Sequence, residues 1–161
     1  MAAEKIAAEF TNSDLPLFNI KDINLKKMEE FDVLILGIST WDFGEIQEDW
    51  ESQWQDIQDI NLNGKIIALF GLGDQVGYAD WFQDALGMLH DEIIHQDCQI
   101  IGYWPNQGYE FSASKAVTED GEFFVGLSLD DENQYDQTEQ RIQQWVSQLH
   151  EEITQLWTTM H

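Results

Sequence analysis

Two runs of consecutive apolar residues decide what this chain can fold into. Residues 31–37 read FDVLILG and residues 65–71 read KIIALFG, with the apolar side chains following one another without alternation. Successive side chains on a strand point to opposite faces, so such a run suits a strand covered on both faces, as in a parallel sheet flanked by helices. The second run breaks at Gly71 and Gly73 and passes through a polar loop of Asp74, Gln75, Gly77 and Tyr78. From Ala79 it gives way to a helical period in which Trp81, Phe82, Ala85, Leu86 and Leu89 share one face. Loops at the carboxyl ends of parallel strands are where doubly wound proteins hold their ligands.

The rest of the chain extends the alternation of strands and helices. Residues 1–10 read as a short helix, with Ala2, Ile6 and Phe10 at a spacing of four and no N-cap before them. Residues 11–14 form a turn, and residues 15–20 (LPLFNI) a short strand that Pro16 consigns to an edge. A second carboxyl-edge loop, STWDFG at 39–44, precedes a helix expected over 45–59. That helix would bury Ile46, Trp50, Trp54 and Ile57 and expose Glu48, Asp49, Glu51, Asp56 and Asp59. Residues 99–103 and 123–129 read as one strand interrupted by the long polar loop 104–121, a length uncommon in a compact domain without a purpose. After an acidic turn at 130–137, Asp136 and Glu139 have the spacing of a capping box. They would open a last helix burying Ile142, Trp145, Val146, Leu149, Ile153 and Leu156. The result is a single α/β domain with a parallel sheet.

Charge narrows the function. The 161 residues hold 31 Asp and Glu against 7 Lys and Arg, a net charge of −24. Such a chain repels nucleic acid and anionic membrane and is steered toward basic partners. The same charge also suits simple solubility, and composition does not choose between the two. Cys98 is the only cysteine, which fits a reducing compartment. No apolar segment opens the chain and no run is long enough to span a membrane, so the expectation is a cytoplasmic, soluble protein.

Catalytic chemistry is not evident. No nucleophile stands beside a base, and His90, His95, His150 and His161 lack metal-ligand spacing. The acids Asp130, Asp131 and Glu132 could hold a divalent cation, although solvated acidic turns are far commoner. Trp50, Trp54 and Trp145 sit at core spacing. Trp41 and Tyr78 remain as aromatics that packing does not explain, one on each carboxyl-edge loop, where two rings can sandwich a flat ligand.

At this point four segments carry a resemblance: LILGISTWDFGEIQEDW, ALFGLGDQVGYADWFQDALG, IGYWPNQGYEFSASKAV and FVGLSLDDENQYD. In this order they are similar to the long-chain bacterial flavodoxins, closest to the flavodoxin B type, over nearly the whole chain. The resemblance implies a doubly wound sheet of order 2-1-3-4-5, of which flavodoxin with its FMN is a standard example, with residues 104–121 as the insertion in the last strand. It also implies a non-enzymatic electron-transfer protein, a monomer, using non-covalently bound FMN as a low-potential one-electron carrier. Electrons would pass from a basic NADPH-dependent flavodoxin/ferredoxin-NADP reductase to acceptor redox enzymes. Trp41 and Tyr78 would stack on the two faces of the ring, with Ser39 and Thr40 near the phosphate and ring. Asp42, Phe43 and Gly44 would form the turn beside the flavin N5. Gly73 and Asp74 would touch the ring edge, and Asp130 would approach the ribityl chain. An aromatic, acid-rich site disfavours the negative charge of a reduced ring, which is the origin of the low potential.

One part of the family pattern is missing. Flavodoxins open with a central strand and a T-x-T-G-x-T loop that cradles the phosphate, and neither occurs in these residues. The expectation is therefore a single domain over 1–161 that is N-terminally incomplete, with its first, interior strand absent. Two other functions share the fold: an FMN-dependent reductase, which needs a substrate pocket, and a truncated, flavin-free protein acting only by interaction. A phospho-accepting receiver domain needs an Asp where this chain has Gly37-Ile38-Ser39.

Overall fold

The computed structural model describes residues 2–10 and 15–160, so the turn expected at 11–14 lies outside the described residues. Helix α1 (Ala2–Glu9) and 3-10 turns at Ile20–Asp22 and Leu25–Glu30 lead into strand β1 (Val33–Trp41). Strand β2 (Glu45–Ile46), helix α2 (Glu48–Glu51) and a 3-10 segment (Trp54–Asp59) precede strand β3 (Ile66–Leu72). A 3-10 turn (Ala79–Trp81) and helix α3 (Asp84–Ile93) follow. Strands β4 (Gln99–Ile101), β5 (Trp104–Pro105), β6 (Phe123–Phe124) and β7 (Leu127–Leu129) then lead to helix α4 (Tyr135–Met160).

The sheet is built on β3, whose side chains from Ile66 to Gly71 are buried. One edge of β3 runs parallel to β1 from Val33 to Ser39. Its other edge carries β4 and then β7, both parallel, with Ala68 opposite Ile101 and Phe70 opposite Leu127. Residues 99–101 and 127–129 are thus two halves of one strand, and the intervening segment is an insertion, as expected. The order β2-β1-β3-β4 is the third-fourth-fifth portion of the expected doubly wound sheet. Alternation assigns the faces. Phe70, paired with Gly37, leans across that glycine, where a Cβ would strike its ring, and meets Trp145 of α4 edge-on at 6.4 Å. Leu36, on the opposite face, packs with Trp50, Ile57, Leu89 and Ile93. Helix α3 therefore covers one face, and α4, with α1 packed on it, covers the other.

Several expectations change. Only Leu34, Leu36 and Ile38 of β1 are buried, while Val33 is exposed and Ile35 half-buried. The cause is an open edge. Ile66 N donates to Asp32 O, so the peptide groups of Asp32, Leu34, Leu36 and Ile38 face β3, and those of Val33, Ile35, Gly37 and Ser39 turn away from it. Among the described residues no strand lies along Val33–Gly37 on that side. Gly37 O accepts from Trp50 Nε1 at 2.8 Å, and Ser39 N donates to Gln47 Oε1 at 3.1 Å. Residues 15–20, expected as an edge strand, form none: Pro16 lacks a donor, no ladder stands beside them, and Leu17 and Phe18 are exposed.

The helix expected over 45–59 is also broken. Glu45 and Ile46 fold back to pair with Trp41 and Thr40, and α2 is a single turn. The Gln53 side chain then bonds Leu25 N, Ile20 O and Ile23 O, bending the chain toward that segment. The helix expected from Ala79 is divided at Gln83, which is left-handed (φ 63°). Its buried amide donates to Gly71 O and Leu129 O, tying the ends of β3 and β7 together. Helix α4 starts at Tyr135, so Asp136 lies inside the first turn instead of capping it, where its charge still meets the positive helix end.

The insertion is not a bare loop. Trp104 and Pro105 pair antiparallel with Phe124 and Phe123, so Phe123 and Phe124 leave the strand predicted over 123–129 for a second, two-stranded sheet. Tyr109, Phe111 and Phe124 gather around Phe82 with ring centroids 5.2–5.8 Å from it. The Tyr109 hydroxyl donates to Ser128 O and accepts from Trp104 Nε1, and burial pushes its pKa up to about 12. Among the described residues no helix is long and apolar enough to cross a membrane.

Candidate functional site

The parallel register sets Ser39 beside Leu72, so the segments following β1 and β3 leave the sheet side by side. After β1, the chain turns through Asp42 (φ 45°), Phe43 and Gly44 (φ 86°) into β2. Asp adopts the left-handed region more readily than most residues, and Gly44 meets a second constraint. A Cβ there would lie 2.9 Å from Asp84 Oδ2 and 3.0 Å from the Trp81 ring. The tight turn leaves Trp41 44% and Phe43 65% exposed. Phe43 stands edge-on to Tyr78 at 6.0 Å and to Trp81 at 5.1 Å.

The loop after β3 is fixed from inside. Gly73 N donates to Leu129 O at 3.0 Å. Asp74 Oδ1 accepts from Val76 N, Gly77 N and Asn133 Nδ2 at 3.1, 2.7 and 2.7 Å. Desolvation opposes ionisation of Asp74, but those hydrogen bonds outweigh it and hold its pKa below the ordinary carboxylate value. Asp130, 0% exposed, faces inward. Its carboxylate accepts from Gln75 N and Nε2, from Glu132 N, and from Asn133 N and Nδ2.

The structure brings Trp41, Asp42, Phe43, Gly44, Gly73, Asp74 and Tyr78 onto the two neighbouring carboxyl-edge segments. Ser39 is engaged through its backbone N–H and Thr40 through its hydroxyl. Ser39 N is held by Gln47, and Thr40 Oγ1 accepts from Ala85 N at 3.0 Å in the first turn of α3. Asp130 acts on the loop and not outward. Gln75, Asn133 and Gln83 carry much of the loop's hydrogen bonding and were not singled out by sequence reasoning. Neither periodicity nor composition marks a buried polar side chain inside a polar loop.

The residues at the rim define what could be held. Three exposed or half-exposed aromatics offer flat apolar surface, and the segments 39–44, 73–78 and 130–133 contain no Lys or Arg and five carboxylates (Asp42, Asp74, Asp130, Asp131 and Glu132). A planar, largely apolar ring system fits; a bare anion does not. An FMN ring therefore suits this end of the site. For its phosphate, no run of hydroxyls at a helix N-terminus stands among these segments.

Comparison with known proteins agrees with the geometry. The Flavodoxin family profile matches residues 1–145. The chain is 56% identical over 155 residues to Flavodoxin 2 of Escherichia coli (strain K12), covering 96% of this chain and 90% of that protein. It is 47% identical over 148 residues to a flavodoxin of Picosynechococcus, covering 91% and 86% respectively. Among solved structures, Fusobacterium nucleatum flavodoxin bound to flavin mononucleotide superposes with a TM-score of 0.87 at 29% identity, over 94% of this chain and 89% of that one.

Proposed function

This chain belongs to the flavodoxin family, and from that premise we propose that it is a one-electron carrier holding FMN non-covalently between Trp41 and Tyr78. The observation that carries the reading is the aromatic pair on adjacent carboxyl-edge segments, Trp41 exposed and Tyr78 half-buried, neither of them taken into the core. Bound FMN supplies a ring that takes up and releases electrons one at a time. The protein's residues do the rest. Trp41 and Tyr78 cover the ring faces and exclude water. The turn through Asp42, Phe43 and Gly44 offers backbone groups to the ring edge, and the left-handed Asp42 and Gly44 fix its path in advance. Gly73 and Asp74 approach the ring from the second loop, and Asp130 positions that loop from within. The surrounding carboxylates make added negative charge unfavourable, lowering the potential. Electrons arrive from a basic NADPH-dependent reductase and leave to acceptor redox enzymes, the acidic surface serving to attract both.

Titrating the purified chain with FMN tests this. Binding should quench flavin fluorescence and resolve its visible absorption bands. Trp41→Ala should weaken affinity about tenfold or more, the range that loss of one stacking aromatic produces. Unquenched FMN at saturating protein would overturn the reading.

A further inference from the structure

Gln75 is 3% exposed yet lies in a surface loop between an exposed Val76 and the sheet ends. It is polar and buried, and its backbone N–H and both side-chain polar atoms are bonded. Its N–H and its Nε2 both donate to Asp130 Oδ2, at 3.1 and 2.8 Å. Its Oε1 accepts from Glu110 N at 2.6 Å. One side chain therefore joins three separate segments: the ring-flanking loop, the turn after β7 and the insertion.

The contact with the insertion is part of a longer seam. Ser112 N and Ala113 N donate to Ala79 O at 2.8 and 3.1 Å, Phe82 N donates to Ala113 O, and Lys115 N donates to Asp84 Oδ1 at 2.7 Å. Residues 110–115 thus run along the segment that carries Tyr78, from before it to after it. Gln75 is the bond of this seam that lies on the sheet side of Tyr78. Without it, Glu110 N–H would lose its acceptor, and the buried Asp130 carboxylate would lose one of its donors, a costly change for a charge in such a place.

We propose that Gln75 is a positioning residue that locks the Tyr78 loop to residues 110–115, so that a ring held at Trp41 and Tyr78 and the order of the insertion reinforce each other. The coupling rests on the ring-site reading above and follows from linkage. If ligand stabilises the loop, the loop stabilises the insertion through Gln75, and the insertion improves ligand affinity by the same factor.

The test compares the wild-type chain with Gln75→Met, which keeps the side-chain volume and removes its hydrogen bonds. Gln148→Ala serves as a control, since it removes bonds to Tyr103 O and Glu152 on the far side of the insertion. Amide exchange at Val76, Gly77 and Glu110 is followed with and without FMN, alongside the FMN affinity and the midpoint potential. In the free chain, Gln75→Met should speed exchange at all three amides. With FMN, wild type and Gln148→Ala should show slowed exchange at Glu110. Gln75→Met should lose that slowing, bind FMN about tenfold more weakly and show a shifted potential. If Gln75→Met does not fold, the wild-type chain decides the coupling: FMN should slow exchange at Glu110 together with Val76 and Gly77, and slowing at Val76 and Gly77 without Glu110 overturns it. Unchanged exchange at Val76 and Gly77 in the free variant overturns the lock. Tight FMN binding by wild type with no response at Glu110, or equal affinity in wild type and variant, overturns the coupling. Absence of FMN binding by wild type overturns the ring-site reading instead, and leaves the free-chain exchange to decide the lock alone.

Discussion

Asp74 and Asp84 carry the same charge and answer acid in opposite directions. Desolvation works against ionised Asp74, but hydrogen bonds from Gly77, Asn133 and Val76 prevail, so its pKa is depressed in the folded chain. The stability it contributes is present above the ordinary Asp pKa and is lost as pH falls through the depressed one. Asp84 is buried beside Gly44, and desolvation prevails over the Lys115 N–H and charge, raising its pKa. Its contribution is full below the ordinary Asp pKa and is lost as pH rises through the raised one. Asp84→Asn keeps an oxygen for Lys115 N–H and removes the buried charge. Its urea midpoint should therefore exceed that of wild type at neutral pH, with the gap closing below about pH 4. A gap that widens in acid would refute this assignment. At this scale the sequence singles out Trp41 and Tyr78 as aromatics that a core does not claim, and in the fold Trp41 is exposed and Tyr78 half-buried. It does not reveal that Thr40 caps α3 or that Asp130 faces inward, since the direction of an oxygen is settled by which strand ends meet.

Helix α3 meets the insertion with no room to spare at Gly87, where a Cβ would run into the Lys115 carbonyl. That neighbour is backbone, in a residue already held by Asp84, so it cannot swing aside as a side chain would. Gly87→Ala should cost about 1–3 kcal/mol, the range for overpacking, read from the urea midpoint. Gly121→Ala offers no comparable crowding, with nothing near its added Cβ, and should show only the cost of its positive φ. Helix α4 and the buried strand β3 were legible because their patterns are long and their burial is not in competition with other demands. So was the split last strand, because β4 and β7 remain apolar on either side of a polar interval. The helices over 45–59 and from Ala79 were not. Their apolar spacing is right, but the side-chain amides of Gln53 and Gln83 reach distant backbone groups and break the helical path, a choice that depends on tertiary neighbours. Residues 15–20 read as a strand by composition alone, and a strand exists only where a partner offers a ladder.

Over the whole molecule, 24 units of net negative charge act together. Glu48, Glu51 and Glu132 are exposed, whereas Asp130, in the same acidic turn as Glu132, is buried and withdrawn from the surface. Reduction by a basic reductase should therefore slow steeply as ionic strength passes about 0.1 M, where the screening length is about 10 Å. Stopped-flow rates across a salt series measure this, and a flat profile would rule out electrostatic docking. The same charge bears on the open edge of β1. Val33 and Ile35 turn their peptide groups away from β3, with no strand beside them among the described residues, and neither carries a charge that would deter a second strand. Collective repulsion of the whole surface opposes the pairing of two such edges, and it vanishes near the isoelectric point of about 4.1. The consequence is colloidal: light scattering should rise as the solution is acidified toward that point, and scattering that stays flat through it would show that the edge does not recruit a second copy.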